Sequence, residues 1–563
     1  MRFVSHRDVG VTFDLEPDDD AGAEGNRHGL GAVPDEPEVD ALADPVRHGA
    51  RAVRAFVARQ PRRRLVAVGV GIALVAGSVV GGTFAVRAAQ AAAAERDRVA
   101  ALLASPGGVL DLGSGPLEEA WSVPLTGAVL GTLSGTLAGT VVVADGADAV
   151  GLRVDDGGEA WRHELGGDLT CGLRPMPGER APTPTTLVCL AGPVEARRVT
   201  VLDADGVVVA RRDLGDTTDR SVVPTADGGL LTVRPTGEVP ELPVTPAGID
   251  LSETFPQGIL AGPDALLEMT DAASGALRWT AEVPFEPGAY PLGCGPTIDV
   301  DGSTRITLSV GAYVTPTLIV IDGCGVDAAF LPDGTLLAGR EDLDQAYLQP
   351  DPDGGYVLHG YAAPSQVLDE RGGLRSVVNL GVVVPTATDA VSANLLVLDG
   401  NGTLLCLDAD GQRLWPASPG ATSPPAVSSV LVRAGGVVLG LTRDWSLVGL
   451  DANDGTLLWQ GDRDTRVPEY GTDAAVTDGT VAVLAVAADQ SATPERHLVG
   501  VDLRTGRTWT LDREHTAMAE LLVVDGALVE YATGTATEVR DLPNGEAGWF
   551  RDGTLTRLTP PAP

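Results

Sequence analysis

The chain has 563 residues and a formal net charge of −37, from 77 acidic and 40 basic side chains. Such an acidic chain is repelled by nucleic acid and by anionic lipid, which excludes both as partners of its main body. At ~150 residues per domain the length sets three or four domains, unless one large repeat architecture takes their place.

Residues 1–44 come first. Eleven acidic side chains against one arginine between positions 14 and 44 cannot bury enough apolar surface to offset chain entropy, so a disordered acidic tail is expected. From 45 to 64, Val46, Val53, Phe56 and Val57 alternate with arginines, the pattern of a basic juxtamembrane helix on an inner leaflet. Residues 65–86 (LVAVGVGIALVAGSVVGGTFAV) carry no charge, amide side chain or proline. At ~1.5 Å per residue the run reaches about 33 Å, enough for one transmembrane helix.

Arg47, Arg51, Arg54, Arg59, Arg62, Arg63 and Arg64 precede the run, whereas Glu95 and Asp97 dilute the arginines that follow it. The positive-inside bias keeps the N-terminus in the cytoplasm and puts the larger part outside the membrane. A cleaved leader ending near Ala89-Gln90-Ala91 is the rival reading, but the length of the leader and of the run favours an anchor. Gly77 and Gly81 stand at a GxxxG spacing, which leaves open a homodimer through the helix. Residues 87–116 are read as a helical stalk and linker, broken at Ser105-Pro106-Gly107-Gly108.

From 117 to 558 the helical period disappears. Apolar runs such as GTVVVADG at 139–146 and GTVAVLAV at 479–486 alternate with Gly/Asp/Pro turns, so the segment is all-β. Residues 559–563 are a disordered end. The five cysteines all lie beyond the apolar run, where disulfides persist. Sequence proximity pairs Cys171 with Cys189 and Cys294 with Cys324 and leaves Cys406 buried and free; five unpaired core cysteines are the alternative.

One unit recurs in this segment: an apolar strand, an Asp-containing turn closing on Gly, then an aromatic or aliphatic residue about four positions on. It is clearest around Gly275 and Trp279, Gly411 and Trp415, Gly455 and Trp459, and Gly506 and Trp509. Weaker copies hold Gly157 and Trp161, Gly206, and Gly545 and Trp549, with traces near Gly325 and Gly372. Spacings between these glycines cluster between 44 and 51 residues, the period of propeller blades. Asp and Gly supply the tight turn, and the tryptophan fills the wedge between neighbouring blades.

The D-A-x-[TDS]-G-x-x-x-W pattern resembles the pyrroloquinoline quinone-type propeller repeat, found in quinoprotein dehydrogenases and in non-catalytic envelope propellers such as the outer-membrane assembly lipoprotein. That resemblance implies a single β-propeller of about eight blades, with seven as the alternative. The strand around Trp121 is expected to close the ring against the C-terminus.

The resemblance also implies, for the dehydrogenases, a quinone with a calcium or lanthanide ion on the central axis, an aspartate base and, in many alcohol dehydrogenases, a disulfide between adjacent cysteines. This chain has no adjacent cysteines and no matching set of metal ligands, so no cofactor, metal or catalytic residue is expected. Asp203-Ala204-Asp205-Gly206, Asp299-Val300-Asp301-Gly302 and Asp408-Ala409-Asp410-Gly411 have calcium-loop spacing but lack the closing Glu and read as turns. His163, His359, His497 and His515 stand outside any hydrolase motif. Proline-rich insertions at 174–185 and 235–263 are candidate binding loops.

The expectation is a non-enzymatic, membrane-anchored extracytoplasmic module that binds an envelope protein or peptide. A quinone-dependent dehydrogenase and a ligand-sensing transducer are the alternatives.

Overall fold

The computed structural model describes Gln90 and most of residues 93–561; the longer gaps fall at 126–132, 173–178, 416–424, 462–474, 488–495 and 542–546. The chain divides into two units, 1–90 and 91–563, and nearly all described residues belong to the second. The expected tail, juxtamembrane helix and membrane anchor lie outside the described residues. Among those that are described, no helix is long and apolar enough to cross a membrane.

Residues 95–103 are helical. The chain then leaves the helix and lies against the β domain. Val109 donates to the carbonyl of Thr477 (2.8 Å) and Leu110 to that of Gly526 (2.9 Å), while Leu102, Val109, Leu112 and Leu117 are buried.

The β domain is a propeller whose described residues form nine successive blade sheets, antiparallel except where Ala387–Thr388 pairs parallel with Val427–Ala434, and two small hairpins besides. Blade 1 runs from Leu133 to Glu164, blade 2 from Thr170 to Gly215, blade 3 from Ser221 to Val283 and blade 4 from Val310 to Ala338. Blade 5 spans Ala346–Val378, blade 6 begins at Gly381, blade 7 is centred on Val427–Gln460, and blade 8 spans Ala475–Leu511. Blade 9 combines Thr516–Val524, Ala527–Gly534 and Gly553–Thr559 with the first strand of the chain, Glu118–Leu125. That first strand pairs antiparallel with Gly553–Thr559, from Glu118 opposite Thr559 to Leu125 opposite Gly553. The ring is thus closed by joining the two ends of the domain, which removes an open edge.

The count of nine corrects the expectation of eight or seven blades. Blades 4 to 6 are short, with Gly334, Gly372 and Gly411 only 38 and 39 residues apart, yet each of these glycines closes a sheet of its own. Two of the repeat positions are misplaced as well. The turn before the outer strand of blade 4 is at Gly334, not Gly325. Trp549 lies on a hairpin, Glu538–Asp541 with Ala547–Phe550, inserted into blade 9 rather than on that blade's outer strand.

Strand burial follows position. Val437–Thr442, in the middle of blade 7, is buried at all six residues, because a central strand has a neighbouring blade on each face. The outer strand of blade 2, Val208–Gly215, alternates half-buried and exposed. The core lies between blades: Leu396, Leu404 and Trp415 of blade 6 pack with Val427, Val438 and Val448 of blade 7.

Candidate functional site: the inter-blade wedges and the outer edge of blade 2

Several outer strands point an aromatic or long side chain into the wedge toward the next blade. Trp121 covers Gly157, Trp279 covers Gly334, Trp415 covers Gly455 and Trp459 covers Gly506. In each pair the indole nitrogen donates to a carbonyl of the covered turn: Val154 (2.8 Å), Pro332 (2.9 Å), Ala452 (3.1 Å) and Leu503 (2.7 Å). The wedge therefore combines ring burial with a directed hydrogen bond. Trp509 rests on Gly500 of its own blade; Gly545 lies outside the described residues. Gly411 has open space where a methyl group would go, and Leu337 covers Gly372.

Trp161 covers Gly206 but makes no indole hydrogen bond, although the nitrogen is buried. The turn beneath it, Asp203–Gly206, is one residue shorter than Asp451–Gly455 and Asp502–Gly506. Gly275 is covered by an arginine, Arg212. In blade 2 Ala210 occupies the register position that Trp161 holds in blade 1, and Arg212, two residues on, fills the vacated wedge. Neither Arg212 nor Gly334 is apparent from the repeat. The signal that leads to Arg212 is the alanine standing where a tryptophan is expected.

The turns owe their shape to carboxylates. Asp203 Oδ1 accepts from the amides of Asp205 (3.0 Å) and Val207 (2.8 Å), and Asp408 Oδ1 from that of Gln412 (2.7 Å). The same chemistry sets Asp271, whose carboxylate accepts from Ser274 and Arg278 and is held at about 2 by those bonds. Asp299 and Asp301 lie outside the described residues. Among the described residues no three His, Cys, Asp or Glu side chains are grouped to hold a metal ion.

Cys171 and Cys189 face each other in register in blade 2 and are joined by a disulfide, which ties the base of the 172–185 insertion. Cys294 and Cys324 form a second disulfide. It lies in a satellite core with Phe255, Ile259, Ala289 and Ile306, built from the insertion after blade 3's second strand and the link to blade 4. Cys406 is buried and free, and burial pushes its thiol up. From the 172–185 insertion, Glu179 reaches across to blade 4, where its carboxylate accepts from Thr315 (2.6 Å) and from the amide of Thr317 (2.8 Å). His359 of blade 5 is buried against Tyr347, ring centroids 4.5 Å apart, and burial lowers it to about 4. His163 contacts the carbonyl of Gly206 (2.6 Å).

The outer edge of blade 2 differs from the rest of this acidic chain. Val208–Gly215 is eight residues long and is bonded to a neighbouring strand on one side only. Val207 and Val209 are 57% and 55% exposed. Arg211 is exposed and makes no ion pair among the described residues, while Nε and Nη2 of Arg212 are buried without an acceptor. Arg198, on the adjacent strand, pairs with Asp213. The edge thus offers free backbone donors and acceptors, apolar side chains and positive charge, a combination suited to an added strand.

Residues 366–552, about a third of the chain, match the family model of the outer membrane protein assembly factor BamB. No curated protein matches the chain in sequence. Among solved structures, BamB from Moraxella catarrhalis is 12% identical with a TM-score of 0.35, over 78% of this chain and 100% of that one. Quinohemoprotein alcohol dehydrogenase from Comamonas testosteroni is 12% identical with a TM-score of 0.33, over 78% and 76%. The computationally designed Ika8 protein is 12% identical with a TM-score of 0.28, over 69% and 99%. The nine-sheet ring makes the chain a β-propeller, and the family match over residues 366–552 is consistent with repeats of the pyrroloquinoline quinone type.

Proposed function

We propose that the chain is a non-enzymatic binding or scaffold module, held at the membrane by the apolar run 65–86 and presenting its propeller to envelope proteins or peptides outside the cytoplasm. The observation that carries the reading is the outer edge of blade 2. An eight-residue strand with an unpaired edge, exposed Val209 and Arg211 on it and exposed Val207 just before it is a liability in an isolated protein and a recognition surface in an assembled one. The BamB family match supports a protein-binding role in general terms. The charge asymmetry around the run supports the topology.

The test is in-cell photo-cross-linking of the full-length chain, with the photoreactive residue at Val209 in one strain and at Thr280, on the outer strand of blade 3, in another. A discrete envelope protein joined at Val209 and absent at Thr280 is the expected result. Equal labelling at both positions, or none at either, would remove the basis for this edge as the docking surface. Protease protection of the propeller in intact cells and its accessibility after outer-layer removal test the topology.

A further inference from the structure

Within this acidic chain the outer half of blade 2 is basic. Its last two strands, Arg197–Asp203 and Val208–Gly215, hold four arginines against Asp203 and Asp213. The equivalent strands of the next blade, Asp264–Asp271 and Leu277–Val283, hold Arg278 alone against Asp264, Glu268, Asp271 and Glu282.

Three of the four arginines are engaged. Arg198 pairs with Asp213 (3.2 Å), Arg197 donates to the carbonyls of Asp168 and Gly192 (both 3.0 Å), and Arg212 is drawn into the wedge over Gly275. Arg211 is left. Exposed positions alternate along the edge strand, so Val209, Arg211 and Asp213 share one side of it. The residue paired with Arg211 on the adjacent strand is Thr200, buried and uncharged, so its own sheet sets no carboxylate opposite it. The other flank of Arg211 is the free edge. That edge is also open along its length. The other eight-residue outer strand, Glu118–Leu125, contains Pro124, which lacks the N–H that an added strand needs, whereas Val208–Gly215 has no proline.

We infer that the segment taken up by this edge is extended and acidic, with a Glu or Asp opposite Arg211 and an apolar residue two positions away beside Val209. The inference rests on the blade 2 reading and adds the chemistry of the partner. Backbone pairing is blind to sequence, so selection falls to the cross-strand side chains. The net charge of the chain does not prevent this: at ~0.15 M salt exposed charges are screened beyond about 8 Å, while cross-strand side chains stand about 5 Å apart.

The test titrates the full-length chain with three acetylated, amidated octapeptides by fluorescence anisotropy. One face of each peptide alternates Val with X, where X is Glu, Gln or Lys, and the other face is Thr. The Glu peptide is expected to bind about two- to fivefold more tightly than the Gln peptide, and the Lys peptide most weakly. Arg211 is exposed, so its replacement leaves the fold intact. R211Q should abolish the preference and R211E should invert it, whereas R375Q, on the outer strand of blade 5, should leave it unchanged. The Glu peptide should also join to a photoreactive residue at Val209 and not to one at Thr280. Equal binding of the three peptides, preference for Lys, a Glu preference that survives R211E, or no binding at all would overturn the inference. Self-association of the chain that R211E abolishes would give the edge to a second copy and overturn it too. Each of these failures leaves the cellular labelling at Val209 as a separate result: its presence keeps the edge as a docking surface with a partner of other chemistry, and its absence removes the edge reading itself.

Discussion

The indole nitrogen of Trp121 donates to the carbonyl of Val154 at 2.8 Å, joining the outer strand of the last blade to the last turn of the first. Arg557, from the other end of the domain, donates to the same carbonyl at 3.1 Å. One backbone oxygen thus collects both ends of the β domain, and four predictions start from this and related contacts.

Trp121→Ala should lower stability by about 3–5 kcal/mol, the range for removing a large packed aromatic, and Trp121→Phe by about 1 kcal/mol, since it loses chiefly the hydrogen bond. Denaturant unfolding of the two variants checks this. Equal losses would mean that the indole bond, not ring burial, holds the seam.

Glycines at equivalent turns should differ in tolerance. Gly206 and Gly411 have φ of 77° and 75°, so alanine is strained at both by about 1–2 kcal/mol. At Gly206 the added methyl would also lie 2.2 Å from the ring of Trp161, whereas at Gly411 nothing lies within 4 Å. Gly206→Ala should therefore reduce the melting temperature clearly more than Gly411→Ala.

Replacing Cys171 and Cys189 by serine should cost about 3 kcal/mol, the chain-entropy value for a loop closed over 18 residues. In the native protein Cys406 should stay unreactive to an added thiol reagent and react only on unfolding, because burial disfavours its thiolate. Thiol counting with and without denaturant measures both.

His359 is 7% exposed and sits at about 4, below the ordinary 6.5 of an unfolded histidine. Between these values the unfolded chain binds the proton and the native one does not. Stability contributed by the neutral ring is therefore full above about pH 6.5 and declines as pH falls toward 4, by up to roughly 3 kcal/mol. His359→Phe should flatten this part of the stability profile. Asp271 works lower: held at about 2 by Ser274 and Arg278, its contribution is present above about pH 4 and is lost as pH falls through 2. Arg278→Ala should shift its titration upward, as followed by carboxyl chemical shifts.

The repeat was legible because its chemistry is local. Asp and Gly make the same turn wherever they recur, and a tryptophan a few residues on marks an outer strand, so Gly455 with Trp459 and Gly506 with Trp509 reveal a propeller without any long-range information. The closing strand was legible for the same reason, since Trp121 carries the post-turn signature without its turn. Disulfide partners close in sequence, Cys171 with Cys189 and Cys294 with Cys324, were within reach too.

The rest depends on contacts between residues far apart in the chain. Blade number is set by how many sheets close the ring, and short blades at Gly334, Gly372 and Gly411 look from sequence like fractions of a blade. Which side chain fills a wedge depends on the neighbouring blade: Arg212 is an ordinary surface arginine until Gly275 is placed beneath it, and Trp161 resembles its equivalents until its buried indole is found without an acceptor above Gly206. By itself the sequence determined the repeat, the all-β class and the charge of the chain, because turns and strand alternation are written in neighbouring residues. Only the tertiary structure decided the nine-blade ring, the basic edge of blade 2 and the contacts that close the seam, because each is made where segments tens to hundreds of residues apart are packed together.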